Sequence, residues 1–174
     1  MSDNSLVLYQ GDFLVSDDPE DCIVTVLGSC IATCLYDPVA KVGGANHFLV
    51  ANGPKTVGQN LRYGVHAMEL LINALLRKGA RRDCLVAKVF GGAKMFDDMA
   101  DIGRVNAEFA LQFLSDEAIP LQSKSLLGRQ ARRIRFWPSS GRALQRVVDP
   151  SELRVMPPAP IEQSSTAASD VTLF

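Results

Sequence analysis

Cys22-Ile23-Val24-Thr25-Val26-Leu27-Gly28-Ser29-Cys30-Ile31-Ala32-Thr33-Cys34-Leu35-Tyr36-Asp37-Pro38 is the stretch on which the fold turns. Cys22 to Leu27 is rich in β-branched residues and reads as a strand. Gly28-Ser29 interrupts it with the small residues a tight turn needs. Ile31 to Tyr36 reads either as a second strand running into a hairpin or as a short helix; its length and the Asp37-Pro38 turn after it favour the strand. Beyond Asp37-Pro38-Val39-Ala40-Lys41 the chain returns as an apolar strand, Val42 to Val50, which carries His47 and ends at Asn52-Gly53-Pro54. Strand, tight turn, strand, turn, strand is therefore the nucleus from which the rest is built.

Outward from this nucleus, Leu6 to Tyr9 and Phe13 to Val15 read as short strands around Gly11-Asp12, with Ser16 to Glu20 a loop. Residues 60–78 carry the clearest helix. Leu61, Val65, Met68, Leu71, Ile72, Leu75 and Leu76 fall on one stripe, and Gly79 stands where a C-terminal cap belongs. Leu85 to Phe90 reads as a buried strand ending in a sharp Gly91-Gly92-Ala93 loop. A second helix is expected from about Gly103 to Asp116, with Val105, Phe109, Phe113 and Leu114 inward. Pro120 to Leu126, Arg132 to Phe136 and Ala143 to Val148 read as further strands. The order predicts an α/β layered sandwich with a mixed β-sheet and two main helices. Residues 1–150 read as a single domain, and the Pro-, Ser- and Ala-rich residues 151–174 as a flexible tail.

The bulk properties narrow the function. The chain has 174 residues, 47% hydrophobic and 21% charged, enough to bury a core. With 18 basic against 19 acidic residues, composition gives no argument for nucleic acid. Arg129, Arg132, Arg133, Arg135 and Arg142 cluster in sequence and are expected on a solvated strand face, with a patch that meets an acidic protein partner as the alternative. No apolar run approaches the roughly 20 residues of a membrane helix, and no secretory leader is visible. A cytoplasmic protein with reduced cysteines is expected, with no membrane insertion. Cys30-x-x-x-Cys34 is not a redox spacing and no second pair completes a zinc site, so no metal and no cofactor are expected. The dinucleotide and P-loop fingerprints are absent.

The chemistry points to Cys30. A cysteine after Gly-Ser has its sulfur near backbone N–H groups, and His47 lies in the strand that folds back on it. An imidazolium at His47 and the amides of Gly28, Ser29 and Cys30 are the two means of lowering the thiol pKa. Those amides also suit an oxyanion. Thr25, upstream on the first strand, is the candidate to orient the imidazole; Asn46 points to the other face of its strand. Gly91 and Gly92 are candidates for close approach of a substrate, or simply turn residues. Cys22, Cys34 and Cys84 are expected in the core, and the other histidine, His66, on the long helix as a surface or packing residue. Arg104 and Asn106 are candidates to help a site, with helix capping and solvation as their default roles.

Leu27-Gly28-Ser29-Cys30 with Cys34-Leu35-Tyr36-Asp37-Pro38, followed by Gly43-Gly44-Ala45-Asn46-His47-Phe48, resembles the bacterial CheD family of chemoreceptor glutamine deamidases. The resemblance continues through Arg62-Tyr63-Gly64, Ala87 to Met95, Ile102-Gly103-Arg104-Val105-Asn106-Ala107 and the region from Arg132 to Gly141. It implies a CheD-like sandwich with a Cys-His-Thr site in which Cys30 matches the nucleophile and His47 the base, with Thr25 as the orienting threonine. It further implies hydrolysis of selected glutamines on methyl-accepting chemotaxis receptors to glutamate, and partnership with a CheC-type phosphatase. A non-catalytic adaptor docking to receptors or to that phosphatase is the alternative, and a cysteine peptidase a third reading. The chain departs from the family pattern at Leu127-Gly128, where Gly-Gly is frequent, and at Ala131, where a glycine is frequent.

Overall fold

The structure, a computed structural model, describes residues 4–50, 57–97 and 101–149. The Asn52-Gly53-Pro54 turn and the 151–174 tail expected from sequence lie outside the described residues. The elements run β1 (Asn4–Val7), β2 (Phe13–Ser16), β3 (Asp21–Leu27), β4 (Ile31–Asp37), β5 (Val42–Phe48), α1 (Val57–Arg77), β6 (Val86–Gly91), α2 (Ile102–Asp116), β7 (Leu121–Leu126), β8 (Arg132–Trp137) and β9 (Arg142–Val147). A single 3-10 turn, Arg82–Cys84, precedes β6.

The strands divide between two sheets, ordered β1-β3-β8-β9 and β2-β5-β4-β6-β7. Each is mixed: β1 runs parallel to β3 and β6 parallel to β7, and the other pairs are antiparallel. The sheets face each other, and both helices cover the far side of the five-stranded one. Strand β4 is buried along its whole length because it is covered on both faces, which settles Ile31–Asp37 as a strand. Its alternation sorts the two cores. Ile31 and Leu35 join Phe48, Met68, Leu71, Leu75, Ala110 and Leu114 under the helices. Ala32, Cys34 and Tyr36 join Ile23, Leu27, Ala45, Ile134 and Phe136 between the sheets.

The helices correct the sequence reading in detail. Helix α1 ends as expected: Gly79 adopts φ +107°, with Gly79 N–H donating to the Leu76 carbonyl and Ala80 N–H to Leu75. Its packing face, however, begins at Gly64, where an added Cβ would come within 2.7 Å of Phe109 and Val50; Leu61 and Val65 are exposed. On α2 the inward face is Gly103, Asn106, Ala107, Ala110, Phe113 and Leu114, while Val105 is 44% exposed. The residues that let α2 lie close on the sheet are small, so a stripe drawn through large apolar side chains misplaced Val105. Cys84 was expected in a core strand and instead belongs to the half-exposed 3-10 turn.

The arginine cluster is also not uniformly solvated. Arg132 is buried, its guanidinium donating to the Ser125 carbonyl (2.6 Å), to Ser125 Oγ (3.0 Å) and to the Leu127 carbonyl. Arg135 and Arg142 lie over the Trp137 ring, 5.0 and 4.5 Å from its centroid. Among the described residues no helix is long and apolar enough to cross a membrane, and no cluster of three or more His, Cys, Asp or Glu is placed to hold a metal ion.

Candidate active site

Three consecutive peptide carbonyls fix the turn between β3 and β4. The Gly28 carbonyl accepts from Ala93 N–H (2.9 Å), the Cys30 carbonyl from Gly92 N–H (2.9 Å), and the Ser29 carbonyl from the Asn106 side-chain amide (2.9 Å). All three point into the body of the domain. A planar trans peptide holds its N–H opposite its C=O, so the N–H groups of Ser29 and Cys30 face the other way, away from these partners. Gly91 and Gly92 supply the floor. With φ +114° and +70°, both lie in the left-handed region; a Cβ on Gly91 would stand 2.1 Å from the Cys30 carbonyl, and one on Gly92 2.7 Å from the Gly103 carbonyl. Both glycines are buried, so the close approach they permit is to the Cys30 turn and to α2.

Strand register brings the histidine in. Ala32 pairs with His47 across β4 and β5, so Cys30, two residues before Ala32, is a diagonal neighbour of His47 on the same face. That face looks into the gap between the sheets. Thr25 looks back from β3, sharing its inward side with Ile23 and Leu27. The Thr25 hydroxyl lies 2.9 Å from His47 Nδ1 and donates its proton to the Leu8 carbonyl at 2.8 Å. Because a hydroxyl has one proton to give, Thr25 accepts from Nδ1–H. Nε2 is then the nitrogen with the lone pair; it is buried and has no hydrogen-bond partner among the described residues. Asn46 faces away, accepting from Thr33 N–H and donating to the Ala67 carbonyl on α1.

Burial dominates the electrostatics of the pair. Burial pushes the Cys30 thiol up to about 11, against the opposing pull of its own backbone N–H. Burial likewise brings the His47 imidazole down to about 4, with the Leu8 carbonyl and Asp12 pulling the other way. Burial thus favours the uncharged form of both groups, the protonated thiol and the neutral imidazole. The thiol donates to Gln10 Oε1 at 3.2 Å. Cys34, fully buried, is raised further, to about 12, and Cys22 is buried. His66 is exposed on α1.

The surroundings of the turn are partly open. A pocket of about 140 Å³ beside Ser29 is lined by Ala93, Lys94, Met95, Phe96, Ile102 and Gly103. Met95 covers Gly28, and Phe96 is exposed. The β7–β8 connection closes over the Gly91 to Lys94 segment: Leu127 N–H donates to the Gly91 carbonyl and Lys94 N–H to Gly128. Gln10 and Leu8 belong to this constellation and were not singled out for it by sequence. Asn106, a candidate to help a site beside its default capping role, belongs to it as well: a polar residue among Ala107 and Ala110 on the packed face of a helix needs buried partners.

The chain matches the family model described as CheD chemotactic sensory transduction over residues 48–147. A probable chemoreceptor glutamine deamidase CheD of Caulobacter sp. (strain K31) is 52% identical over 169 residues, 95% of this chain and 90% of that protein. One of the same name from Agrobacterium fabrum is 49% identical over 171 residues, 96% of this chain and 94% of that protein. The chain belongs to the CheD family. Among solved structures, the crystal structure of the Bacillus licheniformis hypothetical protein YfiH is similar at a TM-score of 0.48 and 16% identity, covering 67% of this chain and 51% of that one.

Proposed function

We propose that this chain is a chemoreceptor glutamine deamidase, hydrolysing glutamine side chains of methyl-accepting chemotaxis receptors to glutamate with release of ammonia. The observation that carries the reading is the Thr25–His47 contact: the imidazole is oriented through Nδ1, and its basic Nε2 has no partner among the described residues on the face that Cys30 shares. Relatives about half identical over nearly the whole chain bear that name.

The neutral resting pair determines the chemistry. His47 Nε2 takes the thiol proton as the Cys30 sulfur adds to the amide carbon, so charge separates only as the bond forms. The outward N–H groups of Ser29 and Cys30 receive the oxyanion. Thr25 Oγ1, anchored on Leu8, holds the imidazolium in register while it protonates the departing ammonia. The same nitrogen then activates water against the thioester, and glutamate leaves. No metal or cofactor enters these steps. Gly91 and Gly92 serve by shaping the turn on which the nucleophile sits. The enzyme works in the cytoplasm on the receptors' cytoplasmic helices, where each new carboxylate alters helix packing, and a CheC-type phosphatase is its further partner.

The test is incubation of a receptor cytoplasmic fragment with the wild type, Cys30→Ala and His47→Ala. Ammonia release and a gain of about one mass unit at glutamine are expected from the wild type alone, because either variant lacks a group the thioester route requires. Chain cleavage, or equal turnover by Cys30→Ala, overturns the reading.

A further inference from the structure

The β1–β2 turn crosses the mouth of this site and is tied to its orienting residues at both ends. On one side the Leu8 carbonyl takes the Thr25 hydroxyl. On the other, Gly11 N–H donates to the His47 carbonyl (2.7 Å) and His47 N–H donates to Asp12 (3.1 Å). Gly11 reverses the chain with φ +95°. At the crest stands Gln10, exposed, with its Oε1 at 3.2 Å from the Cys30 sulfur. The group hydrogen-bonded to the nucleophile is thus a primary carboxamide on a two-methylene stem, the same functional group as the side chain to be hydrolysed.

We propose that Gln10 is a resident stand-in for the substrate: its carboxamide occupies the place a substrate glutamine must take, and substrate enters by displacing it. That the displaced group is replaced by glutamine rests on the deamidase reading; that Gln10 shields the thiol does not. The side chain is not needed to hold its own turn, which the backbone bonds to His47 already fix. Nor is it posed to react. The thiol proton is directed at the amide oxygen, whereas attack requires that proton on His47 Nε2 and the sulfur lone pair above the amide carbon. Gln10 therefore holds Cys30 protonated and engaged until a receptor glutamine, gripped by its neighbouring helix, outcompetes it.

The experiment compares the wild type, Gln10→Ala and Gln10→Asn, whose amide is too short to reach. With iodoacetamide as probe, Cys30 is expected to alkylate about three- to fivefold faster in both variants, the weight of one hydrogen bond from a weak thiol donor. KM for the receptor fragment is expected to fall by a similar factor at constant kcat, because only ground-state competition is removed. Unchanged alkylation in variants that keep the wild-type Tm overturns the proposal. So does a fall in kcat, which would make Gln10 a participant in the reaction, and so does a Cys30-dependent conversion of Gln10 to Glu in the wild type, which would make it a substrate. Faster alkylation without receptor deamidation by any of the three proteins would retain the shield and reject the deamidase.

Discussion

Acidification should cost the folded state a specific amount through His47, and the amount decides whether the resting site is neutral or an ion pair. The imidazole is 7% exposed and brought from an ordinary 6.5 down to about 4 by burial. Its folded pKa is thus below its unfolded one. As pH falls below about 6.5, the unfolded chain binds a proton that the folded site refuses, so this contribution is complete above that pH and is lost on the way down to about 4. At about 1.4 kcal/mol per pH unit, lowering the pH from about 7.5 to about 4.5 removes about 2.5 kcal/mol. Urea unfolding of the wild type and His47→Gln at the two pH values measures it. Groups common to both proteins cancel, including Asp37, whose carboxylate is held below its ordinary range by the N–H groups of Arg81, Ala40 and Val39 despite its burial. The wild type should lose about 2.5 kcal/mol more than the variant. An equal loss refutes the buried neutral base. A smaller loss in the wild type means that the folded state favours the imidazolium, and so a resting thiolate–imidazolium pair.

Other consequences can be checked singly. Thr25→Val keeps the shape but removes the acceptor for Nδ1–H and the donor to Leu8; receptor-fragment assays should show kcat at least about tenfold lower, with the fold retained by circular dichroism. Asn106→Ala breaks the bonds to Ser29 and Val50 and strips a buried N–H of its partner, so chemical denaturation should register a loss of about 2–3 kcal/mol. Gly91→Ala places a methyl group against the Cys30 carbonyl in a left-handed backbone, and loss of activity with a Tm several degrees lower is expected. Leu127 holds φ +67° without being glycine; Leu127→Gly should raise stability by about 0.5–1 kcal/mol, and a decrease would show that its exposed side chain contributes more than the strain costs.

The local grammar of the chain was readable because it is written in neighbouring residues. The break at Gly28-Ser29, the return through Asp37-Pro38 and the cap at Gly79 are short-range features, and period-two alternation alone puts Thr25 on the inward side of β3. The division into two sheets was not readable. It depends on β3 pairing with β8, Ile23 opposite Phe136, and no local pattern encodes a partner at that separation. Leu61 and Val65 look inward by periodicity, yet burial also needs a neighbour to cover them. The charge state of the site depends on the same long-range packing. Burial favours the neutral thiol and the neutral imidazole, and the second sheet that desolvates them is supplied by distant sequence. Arg132 stands in a run of arginines but meets the carbonyls of the β7–β8 connection, which turns an expected surface charge into a buried anchor.

These observations meet in the geometry of the chain's passage between layers. Thr25 belongs to one sheet and His47 to the other, and Cys30 stands where the chain crosses from β3 to β4. Facing sheets lie about 10 Å apart, while four residue steps from Leu27 to Ile31 can span at most about 14 Å. The crossing has little slack, and its three intervening carbonyls are each held by a separate partner. The thiol and the outward amides are consequently fixed by the same packing that fixes the sheets. At the mouth of the site the exposed groups are Gln10 and Phe96. On the proposed reading, a turn fixed in advance and covered by the Gln10 side chain separates the two demands of the reaction: the chemistry is set before binding, and binding has only to exchange one carboxamide for another.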